Sequence, residues 1–547
     1  MQISLLGLAL FIQAPEVSTQ ETPQPILVLQ MPDPVATIGE FLHGPLHETI
    51  IRSELWTMAQ ALPEFSAAEL GWNFFLKPAG GDAALAVASF AGDGLYLFVS
   101  PGLDGEADEG DWVLIGLGHD GDLAQDCFMP PLQLKGIERS AFRGENWEIS
   151  IGEETTLMRR ENRFLVGSNL TLMHQWLEVD IAELALKPGV ASIGRAGASD
   201  IFGWIDGEAL RNEEFTDKPN DAGASYLVGD LHEALRTAPW AALRFDIQEH
   251  TLLMEFIAPA GDAIRDTHAP YFPEVLEIPM PNLEHGIGQG VFSRDLAEWW
   301  AGRADFLTER GLAETIEGDG LMKVLFARDP AADVFQHLES EIRWLVAPLS
   351  AAHGENLSLE YPAAAMGVRF KENAPEDLEQ AFANAYLSAI AFANFDIGSK
   401  GQPTLEMNVQ MEESGKIYSA TYPEWTVEGK KPERYNLSPS MLVMPNGELW
   451  ISSSLGLLEE IASAPVKLVS RSGMWFDFQM NELAQIIERD RPHLVANRML
   501  EEGGDLEAAE KFTDFVFAAI QLIDGGGARS FLDQDRMHVE MQLRFVP

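Results

Sequence analysis

The sequence predicts an α+β fold of two similar halves, each a mostly antiparallel sheet with packed helices. Three observations predict it. Short apolar runs bounded by turn residues are interspersed with amphipathic helical stretches, the pattern of hairpins with helices packed on them. One passage is written twice: Phe164, Leu165 and Val166, then Gly167, Ser168 and Asn169, then Leu170, Leu172, Met173 and Trp176. Its counterpart is Leu449, Trp450 and Ile451, then Ser452, Ser453 and Ser454, then Leu455, Leu457, Leu458 and Ile461. Each copy reads as a buried strand, a polar turn that caps a helix, and an amphipathic helix. The third observation is length, since 547 residues exceed what one hydrophobic core supports.

The elements follow in order. Residues 1–14 form a signal-like segment with an apolar run from Ile3 to Ile12, and 15–25 a Pro-punctuated polar spacer. The first half spans 26–260. It opens on a strand, Ile26 to Met31, and a helix entered at Pro34, followed by a helix near Glu48 to Leu62. Ala83–Phe90 and Leu95–Val99 read as a hairpin around Gly92-Asp93-Gly94. Strands follow at Trp112–Ile115 and Ile201–Ile205, with a closing strand at Thr251–Ile257. Residues 261–284, rich in Pro and Asp, read as a linker. The second half, 285–547, repeats the logic. Gly290–Ser293 is a strand, Asp295 starts a helix, and Asp329-Pro330 starts another with Val334, Phe335, Leu338, Ile342 and Leu345 on one stripe. Ala365–Phe370 is a strand running into a helix after Asp377, the counterpart of Asp122. Met474–Phe478 is a strand, and Met537–Val546 closes the half.

Charge limits the partners. There are 85 acidic and 37 basic residues, a net charge of -48. Such a surface repels phosphate backbones and anionic membranes, so nucleic acid is not an expected partner. The acids are dispersed along the chain, which suits a strongly hydrated surface, and an acidic face for a basic partner is the other reading. Cys127 is the single cysteine, so no intrachain disulfide forms, and the absence of Cys/His clusters excludes a structural zinc site. Beyond the signal-like segment, no run reaches the length of a membrane span.

No catalytic, cofactor-binding or metal-ligating residue is assigned. Gly116-Leu117-Gly118-His119-Asp120-Gly121 matches GxGxxG after a strand, but its counterpart from Met366 to Asp377 has almost no glycine, so the run reads as scaffold, not as a nucleotide loop. Asp104 to Ile115 imitates a calcium loop without its turn glycine or closing glutamate. Ser453 sits in a degenerate GxSxG, best read as a cap. His119, His174, His353 and His538 stand singly, and pairs such as Glu153-Glu154 carry no meaning in a chain this acidic. Trp112, Trp204, Trp450 and Trp475 read as core, whereas the adjacent Trp299 and Trp300 cannot share one face fully, so one indole is expected at a surface or an interface.

The signal-like start, the Met31-Pro32-Asp33-Pro34 opening, the strand Met366–Lys371 running into Pro375–Leu378, and the strand-cap-helix from Leu449 to Ile461 resemble a family of uncharacterised exported bacterial proteins built from duplicated α+β modules. The resemblance implies export and no known catalytic residues. The expectation is an exported, non-enzymatic binding or assembly protein of the cell envelope, with an unknown protein or envelope ligand as partner and no cofactor. The alternative is a metal-assisted hydrolase with carboxylates in a cleft between the halves.

Overall fold

The computed structural model describes residues 25–100, 111–134, 145–151, 155–177, 181, 200–207, 237–260, 276–349, 357, 360–423, 433–471, 473–502, 505–533 and 535–547. The signal-like segment, most of the acidic 104–115 loop, Glu153-Glu154 and His353 lie outside them. The chain divides into two compact units. Unit 1 is Met1–Asp217, His232–Gly261 and Asp535–Pro547; unit 2 is Lys218–Leu231 and Asp262–Gln534.

Unit 1 contains β1 (Leu27–Met31), β2 (Gly94–Ser100), β3 (Asp111–Leu117), β4 (Asn146–Ser150), β5 (Thr156–Arg160), β6 (Arg163–Gly167), β7 (Ile201–Asp206), β8 (Trp240–Gln248) and β9 (Thr251–Pro259). Their order is β4-β5-β6-β3-β2-β1-β7-β8-β9, antiparallel at every pairing. Strand residues alternate faces. One face carries Val28, Phe98, Val113, Leu165 and Trp204, covered by Leu172, Met173 and Trp176 of the helix Leu170–Leu177. The opposite face carries Trp147, Ile149, Leu157 and Phe164, packed on Ala124, Met129 and Leu132 of the helix Gly121–Leu134.

Unit 2 contains β10 (Leu276–Pro281), β11 (Gly288–Ser293), β12 (Glu341–Ala347), β13 (Ala363–Arg369), β14 (Glu406–Glu412), β15 (Gly415–Thr421), β16 (Ser440–Val443), β17 (Glu448–Ser452), β18 (Val466–Arg471), β19 (Met474–Gln479) and β20 (Ile523–Asp533). Its main sheet runs β14-β15-β16-β17-β13-β12-β11-β19-β20, again antiparallel throughout. β10 and β18 form a separate two-stranded ribbon. Val291, Leu345, Ala365, Trp450 and Trp475 line one face under Leu457, Leu458 and Ile461 of the helix Leu455–Ser463. Tyr418, Met441, Val443 and Leu449 line the other, with Leu378, Phe382 and Ala383 of the helix Leu378–Ser399 in the same cluster. The α+β class with mostly antiparallel sheet is therefore as the sequence indicates.

The turn after β6 and the turn after β17 make the same bonds. Ser168 N donates to Trp112 O (3.1 Å) and Ser168 Oγ accepts from Trp112 N (3.0 Å). Ser453 N donates to Ala364 O (2.9 Å) and Ser453 Oγ accepts from Ala364 N (3.0 Å). Each serine thereby ties its strand end to the neighbouring strand, β3 or β13.

Several expectations are corrected. Ala83–Ala91 is a helix, not a strand. Asp82 accepts from Leu85 N (3.0 Å), and an alanine-rich run prefers helix once capped. The helix at Pro330 ends at Asp333. Leu338 bridges to Phe370, and Ile342 and Leu345 belong to β12. The expected linker contains β10, whose Ile278 and Met280 are buried. The last strand, β21 (Arg536–Phe545), pairs along its length with β9 of unit 1, where the sequence had it closing the second half. Trp299 and Trp300 are both buried, because Trp300 turns onto Phe335. Leu170 is 42% exposed, since Leu172, Met173 and Trp176 fill the space beneath that helix.

Candidate functional site

The glycine run is packed against protein. Gly116, next to last in β3, lies beside Phe90 O, and an added Cβ would lie 2.4 Å from that oxygen; at Gly118 it would lie 2.0 Å from Ser89 O. The N–H groups a phosphate would need are already spent. Gly118 donates to Asn162 O (2.9 Å), His119 to Ala88 O (3.0 Å), Asp120 to Ser89 O (3.2 Å) and Gly121 to the Asn162 side chain (3.3 Å). Asp120 caps the helix through Asp122 N and Leu123 N (3.1 and 3.0 Å). Asp122, in the first turn of that helix, meets the buried Arg159 (3.1 Å), and Asp377 meets Arg328 (2.9 Å). The glycines permit a close helix–strand approach.

The serine turns are structural too. Asn169 caps its helix through Leu172 N (3.2 Å), as expected. Ser454 makes no cap bond; Ser438 Oγ takes Leu455 N instead (2.9 Å). Ser453 Oγ accepts from Ala364 N, and among the described residues no histidine or carboxylate is bonded to it as a nucleophile–base pair would require.

Three charged clusters were not legible in the sequence. In unit 2, Glu448 Oε1 meets Arg343 (3.1 Å) and Arg369 (2.6 Å), while Arg343 also donates to Pro279 O (3.0 Å) and stacks over Trp450 at 5.0 Å. Burial pushes the Glu448 carboxyl up, but the two guanidiniums outweigh it and hold the carboxyl below its ordinary range. Burial lowers Arg343 from the usual arginine range. Also in unit 2, Glu360 pairs with Arg489 (2.6 Å), and Asp490 accepts from Glu360 N (2.8 Å). Burial raises the Glu360 carboxyl against the pull of Arg489. In unit 1, Glu255 accepts from Arg244 (3.1 Å) and lies 2.8 Å from His538 Nδ1; the His538 bond holds Glu255 low, burial opposes it, and Arg244 adds to it. His538 is thus not a lone histidine, and His119 and His174 also pair, with Asp93 (2.9 Å) and Glu148 (3.4 Å). Each cluster ties neighbouring elements together. Among the described residues, no group of three or more His, Cys, Asp or Glu side chains is placed to hold a metal ion.

Among the described strands, β14 stands out for its exposure. All seven of its residues are exposed. Met407 (48%), Val409 (47%) and Met411 (77%) share the face of Ala420, Tyr418 and Lys416 on β15, and Glu406, Asn408, Gln410 and Glu412 share the other. Among the described residues β14 pairs with β15 alone, so it ends the sheet of unit 2. An edge strand offers backbone donors and acceptors to another strand. Val409 N donates to the side-chain oxygen of its neighbour Asn408 (2.9 Å), a local bond that a docking strand can replace.

The chain matches no family model and no curated protein. Among solved structures it is similar to crystal form I of TP0453 (11% identity, 45% of this chain and 82% of that chain, TM-score 0.22). Crystal form IV of TP0453 gives 8% identity, 47% and 86% coverage, and a TM-score of 0.22.

Proposed function

We propose that this chain is an exported, non-enzymatic binding or assembly protein of the cell envelope, built from two copies of one antiparallel module, that captures an extended protein segment on the open edge of β14. The observation that carries the binding role is β14 itself: seven exposed residues with apolar side chains alternating on one face and a free backbone edge among the described residues. Strand addition obtains affinity from main-chain bonds and selectivity from alternate side chains. The duplicated-module reading is supported by the equivalent strand orders, by helices in matching places on both sheet faces, and by the shared bonds of Ser168 and Ser453. Export is supported by the apolar run Ile3–Ile12.

A photo-crosslinking residue placed at Val409, with Leu321 on the helix Glu309–Phe326 as an exposed apolar control, tests the binding role in the cells that make the protein. Adducts at Val409 and none at Leu321 are expected. Failure to crosslink at Val409 removes the proposal. For export, mass spectrometry of the natural protein should find its N-terminus after Ala14 or within the next few residues, and an intact Met1 on cytosolic protein contradicts it.

A further inference from the structure

Charge and register on β14 say what kind of strand it accepts. From Glu406 to Ser414 there is no basic residue, and Glu406, Glu412 and Glu413 are all exposed. Glu406 and Glu412 lie on the same face, at the two ends of the strand. On the paired strand the cation is Lys416, opposite Met411 on β15, one strand in from the edge and on the apolar face, with its ammonium 4.8 Å from the Tyr418 ring. The polar face of the edge is therefore acidic at both ends and neutral, through Asn408 and Gln410, in the middle. Resting on the reading of β14 as a docking edge, we infer that its occupant is a basic extended segment of another protein. That segment carries a Lys or Arg at each end of one face and apolar side chains alternating on the other.

A second copy of this chain fits poorly. The antiparallel pairing that joins all seven residues is centred on Val409 and sets Glu406 opposite Glu412 twice. Like charges directly opposite destabilise a sheet pair, and opposite charges stabilise it. Two chains of net charge -48 also repel before contact, whereas a basic segment is drawn in.

The test uses the full chain and two labelled heptapeptides of alternating valine and threonine, one with lysine at both ends and one with glutamate. Binding is read by fluorescence anisotropy at low and moderate salt, and its location by hydrogen exchange. The lysine-ended peptide should bind, slow exchange of the amides from Glu406 to Glu412, and exceed its twin by about tenfold or more, less so as salt rises. The double variant Glu406→Lys/Glu412→Lys, altered only at exposed positions, should reverse that order. Equal binding of both peptides, or no response to charge reversal, overturns the basic partner. So does a chain whose mass doubles with concentration while its β14 amides become protected, since that makes the occupant a second copy. Crosslinks at Val409 alongside any of these results leave the docking edge standing and remove only its basic occupant.

Discussion

The described strands β4 of unit 1 and β14 of unit 2, each the last strand at one end of its sheet, have opposite character. In unit 1 the residues of β4 alternate between exposed and buried: Trp147 and Ile149 lie beneath the helix Gly121–Leu134, and the Trp147 indole donates to Gln125 (3.1 Å). In unit 2 β14 has nothing buried, while its neighbour β15 buries Ile417, Tyr418 and Ala420. Both β4 and β14 follow the same period of two. The difference teaches that alternation prepares a face for cover, and that only a packed neighbour makes it core.

Substitutions can break this comparison. The largest effects belong to covered positions. Trp147→Ala should destabilise unit 1 by about 3–5 kcal/mol in denaturant titration, through lost burial and a cavity. Glu448→Gln should cost unit 2 a similar amount, about 3–5 kcal/mol, by leaving Arg343 as a buried cation with its carboxylate partner gone. A loss under about 1 kcal/mol at either position would mean that the site is wetter than the structure has it. On β14, by contrast, Val409→Lys should leave stability within about 0.5 kcal/mol of the parent while weakening capture of a basic strand. A Val409→Lys protein that unfolds early would show that β14 is covered, and the comparison would fail.

Titration sharpens the contrast within unit 2. Glu448 is held below its unfolded value, so its contribution is present above that value and is lost as pH falls through the lower, folded one. Glu360 is raised, so its contribution is present below the unfolded value and is lost as pH rises through the folded one. Melting curves across the carboxylate range should therefore show Glu448→Gln flattening the acid limb, and Glu360→Gln removing a loss on the other side. If the two variants change the same limb, the assigned directions are wrong. In unit 1, burial pushes the Cys127 thiol up to about 11, so it should stay unalkylated in native protein near neutral pH and react once unfolded. The smallest expected effect is global. Raising NaCl from low to moderate concentration should raise Tm by a few degrees as screening relieves self-repulsion, and a falling curve would point to a few dominant ion pairs.

Much of the fold was legible because local rules agreed with one another. The strand, turn and helix around Phe164–Trp176 and Leu449–Ile461 sit where the apolar spacing and the polar turn put them. Asp33, Asp295 and Asp329 each cap the helix that their sequence announces. Where rules competed, the reading failed. Ala83–Ala91 holds Val87 and Phe90 in an apolar run whose period does not separate strand from helix, and Ile342 and Leu345 fit either a helical stripe or a strand. The charged clusters were not legible for a different reason. Glu255 and His538 stand 283 positions apart, and no local pattern announces that their strands pair.

The amino-acid sequence by itself determined the period of each element, its caps, its apolar share and the large negative charge, because these depend on neighbours within one or two turns and on composition. Tertiary structure decided which faces are covered. It gave the last strand to β9, buried both Trp299 and Trp300, occupied the amides of the glycine run, and left Met407, Val409 and Met411 in the open. The physical reason is that burial and pairing are properties of two surfaces meeting, and one strand's sequence specifies only its own side of that meeting.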